Sequence, residues 1–299
     1  MSVDFSQLPP PQAIEELDFE AIFQERKERL ISLYPENKKN QIRKVLDRES
    51  EPLTKLLQEN AYRELILRSR INSQYKASLL AYAEKSDLDA KAADYGITRL
   101  LISPEDLSTT PPTPAIYESD NDLRIRTSMA FEGLSVAGPT AAYEFFALSS
   151  DGRVADAYAF SPSPSEAIVV ILQRDSSNGA ATQELIKIVD DYLSDEKRRP
   201  TADRLIVQSA NIIEYQIEAK LHHNNLPETD PLLEEALVNI TKFAQTPQRI
   251  GQSIYLSAIF KQLHVSGVEY VELISPSMDV LVNSTQATFC TSIQVTLGV

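Results

Sequence analysis

The sequence predicts an α+β protein with a helical N-terminal region followed by two small sheet-and-helix domains. Apolar residues recur at helical spacing over the first hundred residues, and strand and helix patterns alternate after residue 150. A segment rich in proline, serine and threonine separates these two regions. The expected parts are a helical region with a proline-rich arm and a linker over 1–115, a central domain over 116–210 and a C-terminal domain over 211–299.

The N-terminal region begins with an arm and continues with two helical patterns. Three consecutive prolines, Pro9 to Pro11, favour an extended, polyproline-like arm over residues 2–12. Asp18 is a favourable cap for a helix that runs to Leu33. A second amphipathic stretch follows around Leu46.

The longest helical pattern begins with Ser50 as its cap and Pro52 in its first turn. It contains no proline or glycine from Leu53 to about Glu84, which corresponds to roughly 45 Å of helix. Its apolar residues form more than one stripe, so we expect it to pack against other helices of this chain or of a partner. A shorter helix follows, capped by Asp87-Leu88-Asp89 and closed by Gly96.

The central region predicts a small open sheet backed by helices. The proline-rich residues 103–119 are interpreted as a linker. The patterns that follow are helices over Asp120–Glu132 and from Gly138-Pro139-Thr140 onward, strands over Val154–Phe160 and Ala167–Leu172, a helix over Thr182–Leu193 and a strand over Arg204–Val207.

The C-terminal region predicts a second α+β unit. Residues Ile212–Leu221 alternate between apolar and polar side chains, as in a strand with one buried face. The remaining predicted elements are helices from Asp230-Pro231 and over Ser253–Leu263, and strands over Val268–Leu273 and Thr291–Leu297.

Charge and composition exclude several classes of protein. The net charge is −14, of which −13 falls after residue 100, so a generic nucleic-acid or anionic-membrane binder is not expected. Cys290 is the single cysteine and has no partner for an internal disulfide, which fits a reducing cytoplasm. The first residues do not resemble a signal peptide, and no apolar run reaches the ~20 residues of a membrane span.

The sequence offers little catalytic chemistry. The adjacent His222 and His223 end a strand without the spacing of a zinc site, and phosphate-binding glycine fingerprints are missing. Carboxylate pairs lie on polar helix faces and helix starts, where acids are favoured without catalysis. We therefore predict no catalytic, cofactor-binding or metal-binding residue. The rival hypothesis is an enzyme or small-ligand module with a cleft near His222, His264 or Asp151.

The densest charge cluster follows the predicted helix over Thr182–Leu193. Within it, Arg198 and Arg199 are candidates for docking onto an acidic partner surface. The alternative is a solvated turn between helix and strand.

Four strings, in this order, resemble the baseplate J-like proteins of contractile-tailed phages. The resemblance covers about residues 50–299 and is weaker over the first 50 residues. The strings are Asp87–Leu100, Ala137–Tyr143 with Ala147–Val154, Pro200–Ala210, and Leu263–Val268 with Val271–Pro276.

The resemblance implies a structural protein of the baseplate wedge. Its helical part would join a partner wedge protein in a bundle, and its later domains would contact neighbouring copies in a ring around the central hub and spike. The protein would assemble in the bacterial host cytoplasm and reside in the virion tail. Two alternatives are a phage-derived injection device or tailocin, and an adaptor that never enters the particle. The candidate interface residues are Leu53, Leu57, Leu65, Ile71, Arg198 and Arg199.

Overall fold

A computed structural model describes residues 14–135, 137–223, 230–245 and 249–298. The chain divides into two compact units, Met1–Thr98 and Arg99–Val299, called here the first and second units. The expected proline-rich arm over residues 2–12 lies outside the described residues. The fold class is confirmed, because helices form the first unit and small sheets with helices form the second.

The described part of the first unit, from residue 14 onward, contains four helices. They are α1 (Phe19–Ser32), α2 (Glu36–Leu46), α3 (Pro52–Ser78) and α4 (Lys85–Ala93). The predicted cap of α1 is confirmed, because the Asp18 carboxylate accepts hydrogen bonds from the backbone N–H groups of Glu20 and Ala21. Helix α1 packs against α3, where Ile22, Phe23 and Ala61 are buried.

Helices α3 and α4 differ from the predicted helices at their ends. The N-cap of α3 is Glu51 and not Ser50, although Pro52 does occupy the first turn. Helix α3 ends at Ser78 and does not reach Glu84, because the chain turns at Leu79 and buries Ala83 completely. The N-cap of α4 is Glu84, which places Asp87 inside the first turn. Tertiary burial therefore overrides local helix propensity at this turn.

The proline-rich segment after residue 100 is not an open linker. Strands β1 (Leu101–Ser103) and β2 (Ile116–Tyr117) pair antiparallel, and Asp106 and Thr113 exchange two backbone hydrogen bonds of 2.9 Å. The hydroxyl of Thr109 accepts a hydrogen bond from the backbone N–H of Thr113. Side-chain hydrogen bonds from short polar residues thus close a hairpin within the second unit, where composition alone indicated a flexible connection.

The central sheet agrees with its prediction. Its elements are α5 (Asp120–Ser128), α6 (Thr140–Ser150), β3 (Val154–Phe160), β4 (Glu166–Gln173), α7 (Gln183–Leu193) and β5 (Arg204–Ser209). The strand order is β3-β4-β5, antiparallel and then parallel. The helix predicted over Asp120–Glu132 is longer than the observed one. Helix α5 ends at Ser128, and a 3₁₀ turn follows over Glu132–Leu134. The side chains of Val169, Leu185 and Val189 are fully buried between the sheet and its helices.

The C-terminal sheet has the strand order β7-β6-β8. Its elements are β6 (Asn211–His223), α8 (Asp230–Ala244), α9 (Leu256–Leu263), β7 (Val268–Ser275) and β8 (Gln286–Leu297). The predicted alternation of β6 is confirmed, because Tyr215, Ile217, Ala219 and Leu221 are buried while the residues between them are exposed. Beyond these, an apolar cluster that includes Val170, Leu172 and Ala287 joins the two sheets.

Candidate interaction surfaces

Helix α3 carries an exposed apolar row beside its packed face. Leu67, Ile71 and Tyr75 are spaced four residues apart, so they follow one another along the same side of the helix. Their exposed fractions are 57%, 47% and 36%. We call these three residues the α3 row. Large apolar side chains lined up in this way are typical of a surface that binds another protein.

The α3 row borders a set of ion pairs that fix the helix surface. Glu64 accepts hydrogen bonds from Arg26 on α1 and from Arg68 one turn away on α3. The two guanidinium groups hold the pKa of Glu64 below its usual value, with the Arg26 bond as the main cause. Asn72 is buried and exchanges two hydrogen bonds with the backbone of Glu15. The row is therefore presented by a helix that is anchored within its own unit.

The structure distributes the predicted interface residues over different environments. Leu57 and Leu65 pack partly against the α1–α3 core, and Leu53 is half-buried. Ile71 belongs to the α3 row. Sequence reasoning missed Leu67 and Tyr75, because periodicity alone does not tell which of several apolar stripes faces α1.

The two candidate arginines lie after helix α7 in the second unit. The guanidinium of Arg198 lies 3.7 Å from the ring centre of Tyr192, and it donates a 2.8 Å hydrogen bond to the Tyr192 carbonyl oxygen. Arg199 is half-buried. Arg198 thus supports the end of its own helix, and a docking role for either residue remains a prediction.

A cluster of alternating charges surrounds a small cavity of about 30 Å³ in the second unit. Glu118 and Arg126 form an ion pair of 2.7 Å whose side chains are only 4% and 6% exposed. Arg174 pairs with Asp122 at 2.8 Å. The cavity is about the volume of one or two water molecules, too small for an organic substrate.

Asp156 on β3 contacts the segment between α8 and α9 at this cluster. One of its carboxylate oxygens accepts a 2.8 Å hydrogen bond from the backbone N–H of Ile250, and the other lies 3.7 Å from Arg249. Burial raises the pKa of Asp156, and the nearby Asp122 adds to this effect, whereas the hydrogen bond from Ile250 and the positive charge of Arg249 oppose it. The side chain therefore stabilises this contact at the cost of a buried charge.

Replacing Asp156 by asparagine is expected to change how stability depends on pH. Because the folded-state pKa of Asp156 is raised, the wild-type carboxylate lowers the free energy of unfolding as pH rises through that pKa. The asparagine side chain keeps an acceptor for Ile250 and has no charge to titrate. Urea denaturation from pH 4 to pH 7 is expected to show that the free energy of unfolding of the variant increases relative to that of the wild type as pH rises. A stability difference that is constant over this range would contradict the assignment.

Two of the strings noted in the sequence meet in the second unit. The backbone of Gly138 abuts the ring of Pro200, and the Tyr143 hydroxyl donates a 2.8 Å hydrogen bond to Asp203. Burial and this bond raise the pKa of Tyr143. The turn before α6 is therefore fixed against the loop before β5, which assigns these strings a role in folding.

The candidate polar residues of the rival hypothesis lie at three different places in the fold. His222 stacks on Tyr270 with ring centres 4.1 Å apart, and His264 is exposed after α9. Burial works against the charge of Asp151, but hydrogen bonds from Arg153 outweigh it and lower the pKa of Asp151. Burial raises the pKa of the Cys290 thiol, which packs partly against the C-terminal core.

Neither a metal cluster nor a membrane span is found in the described part of the chain. There, no three His, Cys, Asp or Glu side chains are arranged to hold a metal ion. None of the described helices combines the length and apolarity that crossing a bilayer requires.

Comparison with known proteins assigns the family. Residues 49–106 match the baseplate J-like N-terminal domain, and residues 135–209 match the baseplate J-like central domain. Over 296 residues the chain is 50% identical to Baseplate protein J of Escherichia phage P2, covering 99% of this chain and 98% of that protein. A cryo-EM structure of the anti-feeding prophage baseplate, six-fold symmetrised, matches 60% of this chain and 43% of its own at 11% identity, with a TM-score of 0.42. The chain belongs to the baseplate J-like family.

Proposed function

We propose that this protein is a structural component of the baseplate of a contractile phage tail. The observation that carries the proposal is the 50% identity to Baseplate protein J of phage P2 over nearly the full length of both chains. An identity at this level, without a large insertion or deletion, favours the same role in the particle. The role is structural and not catalytic, and it places the protein among other baseplate proteins in the virion tail.

Within the baseplate, the first unit joins a helix of a partner wedge protein through the α3 row. Leu67 and Ile71 are each about half exposed. Burying both side chains removes apolar area from water, which stabilises the contact by roughly 25 cal/mol for each Å² buried. Arg63 and the ion pairs around Glu64 provide a polar margin beside the row, as in typical interfaces with an apolar centre and a charged rim.

The second unit contacts neighbouring copies and so contributes to a ring around the central hub and spike. The acidic surplus of the chain lies after residue 100, which covers almost all of this unit. Contacts between such units require surfaces where like charges do not meet. Heterologous contacts that close by rotation produce rings of fixed size.

A binding experiment tests the α3 row. The chain is mixed with the helical wedge protein of the same particle, and association is measured for the wild type and for the double variant Leu67→Asp/Ile71→Asp. Two charges in an apolar interface are expected to weaken binding by at least tenfold. Val238 is a matched control, because it is an exposed apolar residue on α8 in the second unit.

The α3 row variant is expected to lose binding, whereas Val238→Asp is expected to bind like the wild type. Because the substituted residues are exposed, circular dichroism and the unfolding midpoint should stay near the wild-type values. Unchanged association of the double variant would contradict the α3 row as the contact. Absence of the chain from purified particles would contradict the baseplate role itself.

A further inference from the structure

The charge cluster around the cavity of the second unit contains an N–H group that the described protein groups do not pair. The Nη1 atom of Arg174 lies 2.8 Å from Asp122, and its Nη2 lies 3.5 Å from the carbonyl oxygen of Val154. The Nε atom of Arg174 is buried and has no hydrogen-bond acceptor in the described part of the chain. Buried polar groups are almost always paired in folded proteins, because an unpaired one has lost its contact with water without a replacement. The Nε–H group therefore indicates a site for a bound acceptor.

The cavity provides the space for that acceptor. Its volume is about 30 Å³, and Arg174 is one of the residues that line it. A water molecule needs roughly 10–15 Å³ of such volume, so the cavity can hold one or two water molecules or one small ion. The residue with the unpaired N–H group thus borders a space of suitable size.

A second group at the cavity can bind the same molecule from another side. Asp156 on β3 also lines the cavity, and only 14% of its side chain is exposed. Its Oδ2 atom accepts the hydrogen bond from Ile250, whereas Oδ1 lies 3.7 Å from Arg249, which is beyond hydrogen-bond distance. Since each carboxylate oxygen has two lone pairs, Oδ1 can accept a hydrogen bond from the cavity. The site therefore offers one donor and one acceptor.

The charges around the cavity distinguish water from an ion. The charged residues that line it are three carboxylates and three guanidinium groups, namely Glu118, Asp122, Asp156, Arg126, Arg174 and Arg249. When all six are ionised their charges sum to zero, so an added ion would be an unbalanced buried charge. A cation would also offer no acceptor to the Nε–H group. Water adds no charge, and it both donates and accepts.

We propose that an ordered water molecule occupies this cavity, accepts a hydrogen bond from Arg174 Nε and donates one to Asp156 Oδ1. Buried waters of this kind bridge polar groups that side chains alone leave unpaired. Arg174 directly follows β4, so the water joins the end of β4 to β3. Through Asp156 it also joins both strands to the segment at Ile250. The site lies within the second unit and does not depend on the proposed contact of the α3 row.

Crystal structures of the full chain test the site in the wild type and in two variants. Arg174→Lys keeps a positive charge near Asp122 but removes the Nε–H group. Arg249→Lys is the control, because it changes another guanidinium at the cavity and leaves Arg174 Nε in place. Wild-type crystals are also soaked in bromide, which scatters anomalously and occupies sites for small anions but does not take the place of water.

The wild type and the control should show one density peak within hydrogen-bond distance of the residue-174 Nε atom and of Asp156 Oδ1. Arg174→Lys should lack this peak, and bromide should give no anomalous signal there. An empty wild-type cavity, a peak that persists in Arg174→Lys, loss of the peak in the control, or a bromide signal would each overturn the proposal.

Nuclear magnetic resonance checks the same contact in the wild type without any substitution. Rotating-frame Overhauser spectra separate close contact with water from proton exchange by the sign of the cross-peak. The Nε proton of Arg174 should show a contact peak with water. A spectrum in which this proton resonance is resolved and has no such peak would contradict the bound water.

Discussion

Replacing Glu118 by alanine is expected to lower the free energy of unfolding of the second unit by about 3–5 kcal/mol. Glu118 is the buried partner of Arg126, and it also accepts a 2.8 Å hydrogen bond from the backbone N–H of Leu100. Without the carboxylate, the guanidinium of Arg126 remains in a site that is almost closed to solvent. Removing one partner of a buried pair costs more than the pair contributes, because the remaining charge is no longer balanced by that partner. Urea denaturation of the purified chain measures the effect.

The double variant Glu118→Ala/Arg126→Met is the matched control. It removes both charges and keeps apolar volume where the guanidinium stem lies, so most of the loss should be recovered. A Glu118→Ala variant within about 1 kcal/mol of the wild type would show that the pair is open to water.

Replacing Gly138 by alanine is expected to destabilise the second unit by about 2–5 kcal/mol. Gly138 has a φ of +78°, where an L side chain costs roughly 1–2 kcal/mol. A Cβ at this position would also lie 2.7 Å from Cγ of Pro200 and 3.0 Å from a carboxylate oxygen of Asp203. Relieving this overlap costs a further 1–3 kcal/mol by roughly the usual scale for overpacking. Thermal and urea unfolding measure the sum.

Gly251 separates the two contributions. Its φ of +76° is nearly the same, but the nearest atom to an added Cβ lies at 3.7 Å. Gly251→Ala should therefore show only the backbone cost of about 1–2 kcal/mol. Equal losses for the two variants would contradict a packing role for the contact between Gly138 and Pro200.

The regular elements were predictable because their signals are local. The alternation of β6, the continuous apolar run of β4 and the cap of α1 at Asp18 each follow from a few adjacent residues. The end of α3 was not predictable in this way. Nothing in the sequence interrupts the helix before Glu84, and the turn at Leu79 depends on the burial of Ala83 against distant residues.

The hairpin over residues 101–117 was not predicted from the sequence, for a related reason. Proline, serine and threonine are typical of linkers, but the same short polar side chains also close turns by bonding to the backbone. Composition does not distinguish these outcomes. The charge cluster around Glu118 could not be predicted either, because its members come from α5, from β3, from Arg174 directly after β4 and from the segment after residue 248. Only the fold brings them together.

The sequence predicted that α3 has surplus apolar surface but did not locate it. Leu57 and Leu65 fit helical spacing as well as Leu67 and Ile71 do, and α1 uses the first two. Which stripe remains free depends on the packing direction of α1, which periodicity does not encode. The domain boundaries at 115 and 210 stay predictions, and contact within the chain favours a division at Thr98.

The most direct test of a structural role through protein contacts is a cryo-EM reconstruction of an intact contractile particle that contains this chain. The account predicts that the chain lies in the baseplate, with Leu67 and Ile71 buried against a helix of another subunit. A reconstruction in which the chain occupies the baseplate but the α3 row faces solvent would contradict the proposed contact. A reconstruction in which the chain lies outside the baseplate would contradict the role.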